Sequence, residues 1–165
     1  MSFENLSANW ADQPLTDPVL AADAVDLMVS LGDRRRGTLT VLICDPDARY
    51  LATVLVGLPE SAATGLRRHP QPQLQPAADA QPPSPAELCG TVLDPVIPAV
   101  HTAPGTGLIL ALGRPGPAGL TDADSQWAHA ATTICEAAGI RLLGFYTATK
   151  DGVHRHDLSA TAVAA

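Results

Sequence analysis

Aromatic side chains are scarce in this chain: Trp, Tyr and Phe occur twice each and make up 4% of 165 residues. The core must therefore come from Leu, Val, Ile and Ala, which bury less area per residue, so modest stability is expected. Cysteine is nearly as rare. Cys44, Cys89 and Cys135 are odd in number, widely spaced and set among apolar neighbours, which excludes a disulfide framework and a CxxC metal site. Buried free thiols in a reducing cytoplasm are the expectation. Basic residues are also in deficit, 10 against 17 acidic, for a formal charge of −7. A nucleic-acid binder draws affinity from cations facing phosphates, so that class is excluded. No apolar run approaches the roughly 20 residues of a membrane span. Met1–Asn5 lacks the basic-then-apolar pattern of a secretory signal, and a soluble protein with no membrane partner is expected.

What is present is 46% apolar residues, enough to exclude wholesale disorder and to build the core of one domain. Residues 1–16 read as a docked or frayed arm. Asp17 and Pro18 are an N-cap and a first helical residue, and Leu20, Ala24, Leu27 and Leu31 follow on one helical face, with Gly32 placed to end it. Arg34, Arg35 and Arg36 suit the negative end of a helix dipole better than a phosphate site. Thr38–Cys44 and Tyr50–Val56 are rich in β-branched residues around an Asp45-Pro46-Asp47-Ala48 turn and predict a β-hairpin.

From about 59 to 85 the composition shifts. Six of the fifteen prolines fall between Pro70 and Pro85, interleaved with Gln71, Gln73, Gln75 and Gln81. Lost backbone donors and few apolar residues predict a flexible insertion within one domain. Beyond it, Glu87–His101 predicts a kinked helix interrupted at Pro95 and Pro98. Thr106–Leu112 predicts a buried central strand, and residues 113–120 a Gly/Pro loop. Thr121 is an N-cap with Asp122 and Asp124 in the first turn. Trp127, Ala131, Ile134 and Ala138 line one face of the helix that follows, and Gly139 ends it. Ile140–Thr147 is a fourth strand, and a Lys150-Asp151-Gly152 turn leads to a short edge strand. The tail over 158–165 is Ala-rich and expected to be disordered. The element order predicts an α/β domain over 17–157: one mixed β-sheet flanked by helices.

Several segments in this order resemble the RadC-like branch of the JAB/MPN metalloprotease superfamily: the DPDARY turn, the strand GLILAL, the loop GRPGPAGLTDAD, the helix end AAGIRLLGF and the final KDGV turn. The resemblance spans about Asp17 to Asp157 and implies a cytidine-deaminase-like three-layer architecture. It also implies a zinc ion held by two histidines and an aspartate, with a glutamate as general base. Aligned on Pro115, the two histidine positions are Leu112 and Arg114, and the family's Ser-x-x-Asp becomes Thr121 and Asp124. Tyr50–Val56, where the base belongs, has no glutamate, and Glu60 falls past Gly57. Two ligands and the base are missing, and a guanidinium repels a cation. Thr121 and Asp124 are equally accounted for as a helix cap.

The degenerate motif therefore implies no catalytic residue, no metal and no cofactor. It implies a pseudoenzyme that binds a protein partner or pairs with itself as a homodimer, through the exposed side of the 122–138 helix or the face around Gly113–Gly119. An uncharacterised hydrolase or small-ligand-binding protein with an altered site in the same cleft is the alternative. His154-Arg155-His156 has the spacing of a metal pair but reads as solvated side chains on an edge strand. The GRPGPAG loop as a phosphate cradle is weak, because the helix that follows opens on Asp122 and Asp124.

Overall fold

The computed structural model describes residues 6–58, 84–117, 119 and 121–156. Most of the Pro/Gln-rich insertion, with Glu60 and His69, and the tail from Asp157 lie outside the described residues. Helices α1 (Pro18–Met28) and α2 (Leu31–Arg36) lead into strands β1 (Thr38–Cys44) and β2 (Tyr50–Gly57). Helices α3 (Pro85–Leu93) and α4 (Val96–His101) precede β3 (Gly107–Gly113), and α5 (Asp122–Ala138) precedes β4 (Arg141–Thr149) and β5 (Gly152–Arg155). The five strands form one mixed sheet in the order β2-β1-β3-β4-β5. Only β3 and β4 run parallel, joined by the α5 crossover; the other neighbours are antiparallel.

Helices cover both faces, so strand alternation divides the core in two. On one face Leu39, Val41, Leu108, Leu110, Leu112 and Phe145 pack with Leu93, Trp127 and Ala131 of α3 and α5. On the other, Leu42, Ile109, Ala111, Tyr146 and Ala148 meet Ala21, Ala24 and Val25 of α1. All seven residues of β3 are buried, as a central strand covered on both faces requires. Cys44, Cys89 and Cys135 are free and buried, and burial raises their thiols to about 11, about 12 and about 11 respectively.

The long helix begins and ends where its capping residues predict: Thr121 caps it, and Gly139 closes it in the left-handed region at φ 69°. The first helix departs from expectation. It stops at Met28, because Ser30 and Asp33 form a capping box that starts a new helix, and Gly32 lies inside that second helix. Leu27 and Leu31 are exposed, and Ala21, Ala22, Ala24 and Val25 supply the buried surface instead, since small side chains let α1 lie close to the sheet. Arg34–Arg36 do form a helix C-terminus, that of α2. The kinked helix resolves into two helices separated at Asp94 and Pro95. The N-terminal arm is docked by Leu15, whose N–H donates to the carbonyl of Ala48 at 2.7 Å, and by Trp10 against Tyr50. Among the described residues no helix is long and apolar enough to cross a membrane.

Gly113 ends β3 beneath α2. A Cβ there would lie 2.8 Å from Thr38 Oγ1 and 3.1 Å from Val29 Cγ1, with the Arg34 Cα at 3.5 Å. The missing side chain is what lets α2 close over the strand end beside Arg114. Gly113→Ala is accordingly expected to cost about 1–3 kcal/mol through overpacking. Urea denaturation followed by circular dichroism measures it, and a variant as stable as the parent would show that α2 does not press on this position.

Candidate functional site

Strand alternation places Leu112 and Arg114 on the α5 side of the sheet, at the end of β3. Leu112 is fully buried and belongs to the apolar core, not to a cleft. Arg114 continues past the strand, its N–H donating to the Ala148 carbonyl at 3.0 Å, and its side chain turns toward the first turn of α5. There it meets Asp124 in a two-point ion pair: Nε to Oδ1 at 2.7 Å and Nη2 to Oδ2 at 2.8 Å. The two side chains are 4% and 0% exposed, so the pair is closed to water.

A buried guanidinium is tolerable only if its N–H groups are satisfied. Here all five have acceptors. Besides the two bonds to Asp124, Nη1 donates to the carbonyls of Pro115 (3.1 Å) and Pro117 (3.2 Å), and Nη2 to that of Gly119 (2.8 Å). The GRPGPAG loop thus turns oxygens inward around a cation, the reverse of the N–H groups a phosphate cradle presents.

Asp124 also serves the helix. Its Oδ2 accepts from the Thr121 N–H at 3.1 Å, and the Thr121 hydroxyl accepts from the Asp124 N–H at 3.1 Å, a complete capping box. Of the four motif positions, the fold gathers Arg114, Thr121 and Asp124 into one network and leaves Leu112 in the core. The residues do not fit the zinc ion that the motif implies. Leu112 has no donor atom, Arg114 is a cation, and both oxygens of Asp124 already accept strong bonds. Among the described residues no three His, Cys, Asp or Glu side chains cluster as metal ligands.

Two residues beside this network were not expected. His154 and Arg155 are exposed, as their edge-strand position predicts, but His156 is 5% exposed. Its N–H donates to the Phe145 carbonyl at 2.9 Å, its ring stands edge-on to Phe145 at 5.2 Å, and its Nε2 lies 2.7 Å from the hydroxyl of Thr147. One residue past β5 the register sets His156 opposite Phe145, on the α5 face of the sheet, while Arg155 lies on the other face beside Tyr146. Alternation alone gave no signal for it, because His154 shares that face two residues earlier and is exposed. Burial depresses the imidazole below its usual 6.5; the Asp124 carboxylate opposes the shift and Arg114 adds to it. A hydroxyl bonded to an imidazole is the local geometry of a nucleophile and its base. Thr147 is only 2% exposed, so no substrate carbonyl reaches it in this arrangement.

Next to the ion pair lies a cleft of about 410 Å³ lined by Leu31, Arg34, Arg35, Arg114, Gly116 and Lys150, among others. Arg34 is itself buried and engaged, pairing with Asp26 at 2.8 Å and donating to the carbonyls of Val29 and Thr149. The positive charge facing solvent there comes from Arg35 and Lys150, both exposed. A second cleft, of about 420 Å³, runs along α5 beside the start of α3, with His129, Thr133 and Ile134 in its wall. Comparison with family models, with curated proteins and with solved structures finds no match for this chain.

Removing one partner of a buried pair leaves the other charge uncompensated. Arg114→Met is therefore expected to cost about 3–5 kcal/mol in chemical denaturation. A loss below 1 kcal/mol would mean that the pair is solvated in solution. His156 gives a pH signature. Its folded-state pKa is lowered, so as pH falls below 6.5 the unfolded chain takes up the proton first. Its contribution to stability is complete above that pH and declines below it. Melting temperatures across pH 7.5 to 5.5 should fall, and His156→Asn should flatten part of that slope. Equal slopes for the two proteins would place the imidazole in solvent.

Proposed function

We propose that this chain is a degenerate RadC-like JAB/MPN domain that works in the cytoplasm by binding protein rather than by catalysis. The observation that carries the reading is the Arg114–Asp124 pair at the end of β3 and the start of α5. A charged guanidinium, with every donor engaged by Asp124 and the loop carbonyls, fills the position where an active relative would hold a divalent ion. It replaces a catalytic cation with a structural one, preserving the charge balance of the loop–helix junction while removing the Lewis acid and its water. The element order and the strand order β2-β1-β3-β4-β5 accord with the three-layer architecture of that superfamily, and fold likeness alone does not assign an activity. The exposed side of α5, with Gln126, His129 and Thr133, and the loop that starts at Gly113 are the surfaces this reading offers to a partner.

The cleft beside Arg114 supports a second reading, a small-ligand protein whose site has moved. The exposed Arg35 and Lys150, with no carboxylate among the lining residues, favour an anionic molecule.

Elemental analysis of the purified full-length chain separates active relative from pseudoenzyme, with substoichiometric zinc expected. Stoichiometric zinc that disappears in Asp124→Ala would overturn the proposal. Cross-linking of the chain in its native lysate, read by mass spectrometry, is expected to join α5 or the Gly113 loop to a second polypeptide. A thermal shift with inorganic phosphate or a nucleotide, abolished by Lys150→Glu, would instead favour the second reading.

A further inference from the structure

The cleft of about 410 Å³ lies at the C-terminal ends of the two parallel strands. Arg114, Pro115 and Gly116 follow β3, Lys150 follows β4, and Leu31 and Arg35 come from one side of α2. Strand ends of this kind gather ligands in α/β sheets, because loops from separate strands meet there. The two buried arginines in the wall add little net charge: Asp26 neutralises Arg34, and Asp124 neutralises Arg114. Arg35 and Lys150 are exposed, and no carboxylate is among the lining residues. The wall is therefore positive on a chain whose formal charge is −7.

The wall lacks what a phosphate site supplies, a set of converging backbone N–H groups. Pro115 has no N–H, and the loop carbonyls turn toward Arg114. At the start of α2 the Ser30 hydroxyl already accepts the Asp33 N–H at 3.1 Å. Recognition falls to two long side chains: a guanidinium that can grip a carboxylate at two points, and an ammonium that acts as a mobile point charge. Beside them Leu31 is 57% exposed and Pro115 is half-buried, an apolar rim that an inorganic anion would leave in water. Resting on the reading of this chain as a protein-binding module, we propose that its partner docks in this cleft through an acidic segment. Carboxylates of that segment meet Arg35 and Lys150, and an apolar side chain covers Leu31 and Pro115. Local charge complementarity and the mixed wall select this occupant. The volume is near the lower end of the roughly 300–1,000 Å³ of ligand clefts, so a short extended stretch fits better than a helix. Exposed ion pairs are individually weak and screened by salt, so the contact is strongest at low ionic strength.

Lys150 is the one lysine of the chain, so carbodiimide coupling through an ε-amine reports on a single position. The probe is an acetylated, amidated hexapeptide of glutamate and leucine, added to the full-length chain at low salt, with its glutamine counterpart as control. The acidic peptide is expected to couple at Lys150, located by mass spectrometry, and to move the NMR signals of Leu31, Arg35 and Gly116. Its affinity should fall as sodium chloride is added, and the glutamine peptide should leave those signals in place. Arg35→Glu combined with Lys150→Gln should weaken binding roughly ten-fold with unchanged circular dichroism. If that double variant does not fold, Leu31→Ser, which alters no charge, should still weaken binding of the leucine-bearing peptide. Unmoved signals at millimolar acidic peptide overturn the proposal. Movement confined to α5 also overturns it, though that result leaves the protein-binding reading standing. Displacement of the peptide by an equal concentration of inorganic phosphate overturns it in favour of a small anion. So does a dimer in sedimentation equilibrium that Lys150→Gln abolishes, which would seat a second copy in the cleft. Stoichiometric zinc, which defeats the broader reading, would leave the peptide result unaffected.

Discussion

A guanidinium enclosed by one carboxylate and three loop carbonyls holds the end of β3 to the start of α5, and much of the local structure depends on it. Burying a charge is costly, and this one is accommodated because Asp124 neutralises it and every N–H has an acceptor. The same carboxylate caps the helix through Thr121, so the helix start, the loop path and the strand end are specified together. The loop gains its shape from the cation inside it, which explains how a Gly/Pro-rich segment with few apolar residues is held against the domain.

A comparable arrangement operates on the opposite face. Arg34 is buried, pairs with Asp26 and donates to Thr149 at the end of β4, fastening α1 and α2 to the same end of the sheet. Gly113 lies between the two arginines, where a side chain would collide with Thr38 and Val29. Two buried arginines thus converge on the ends of the parallel strands, the place where α/β sheets commonly bind ligands. Both are occupied with internal bonds. The cations are present, but their hydrogen-bonding capacity is directed into the protein.

The Arg114–Asp124 pair is closed to water, and the uncharged strand β2 at the rim of the sheet is a chemically distinct surface on a chain with a net charge of −7. The opposite edge differs: β5 carries His154 and Arg155 exposed, side chains of the kind that blunt an edge.

Local chemistry was enough to read most of the elements from the sequence. The β1–β2 hairpin, the central strand, the Thr121 and Gly139 ends of α5 and the Gly152 turn all rest on neighbours within four or five residues, where capping and β-branching act. The break between α1 and α2 was local too, a Ser30–Asp33 box hidden by an apolar spacing that ran through it. Thr121 and Asp124 were legible as a cap for the same reason. The bond from Arg114 to Asp124, ten residues away, was not, because it depends on where the loop returns. Nor was the burial of His156, which depends on one residue of ladder register beside Phe145. Sequence by itself determined which residues cap, turn and alternate, since those forces act within a turn of chain. Tertiary structure alone decided which charges meet and which imidazole loses its water, because that depends on distances between segments that only the folded sheet brings together.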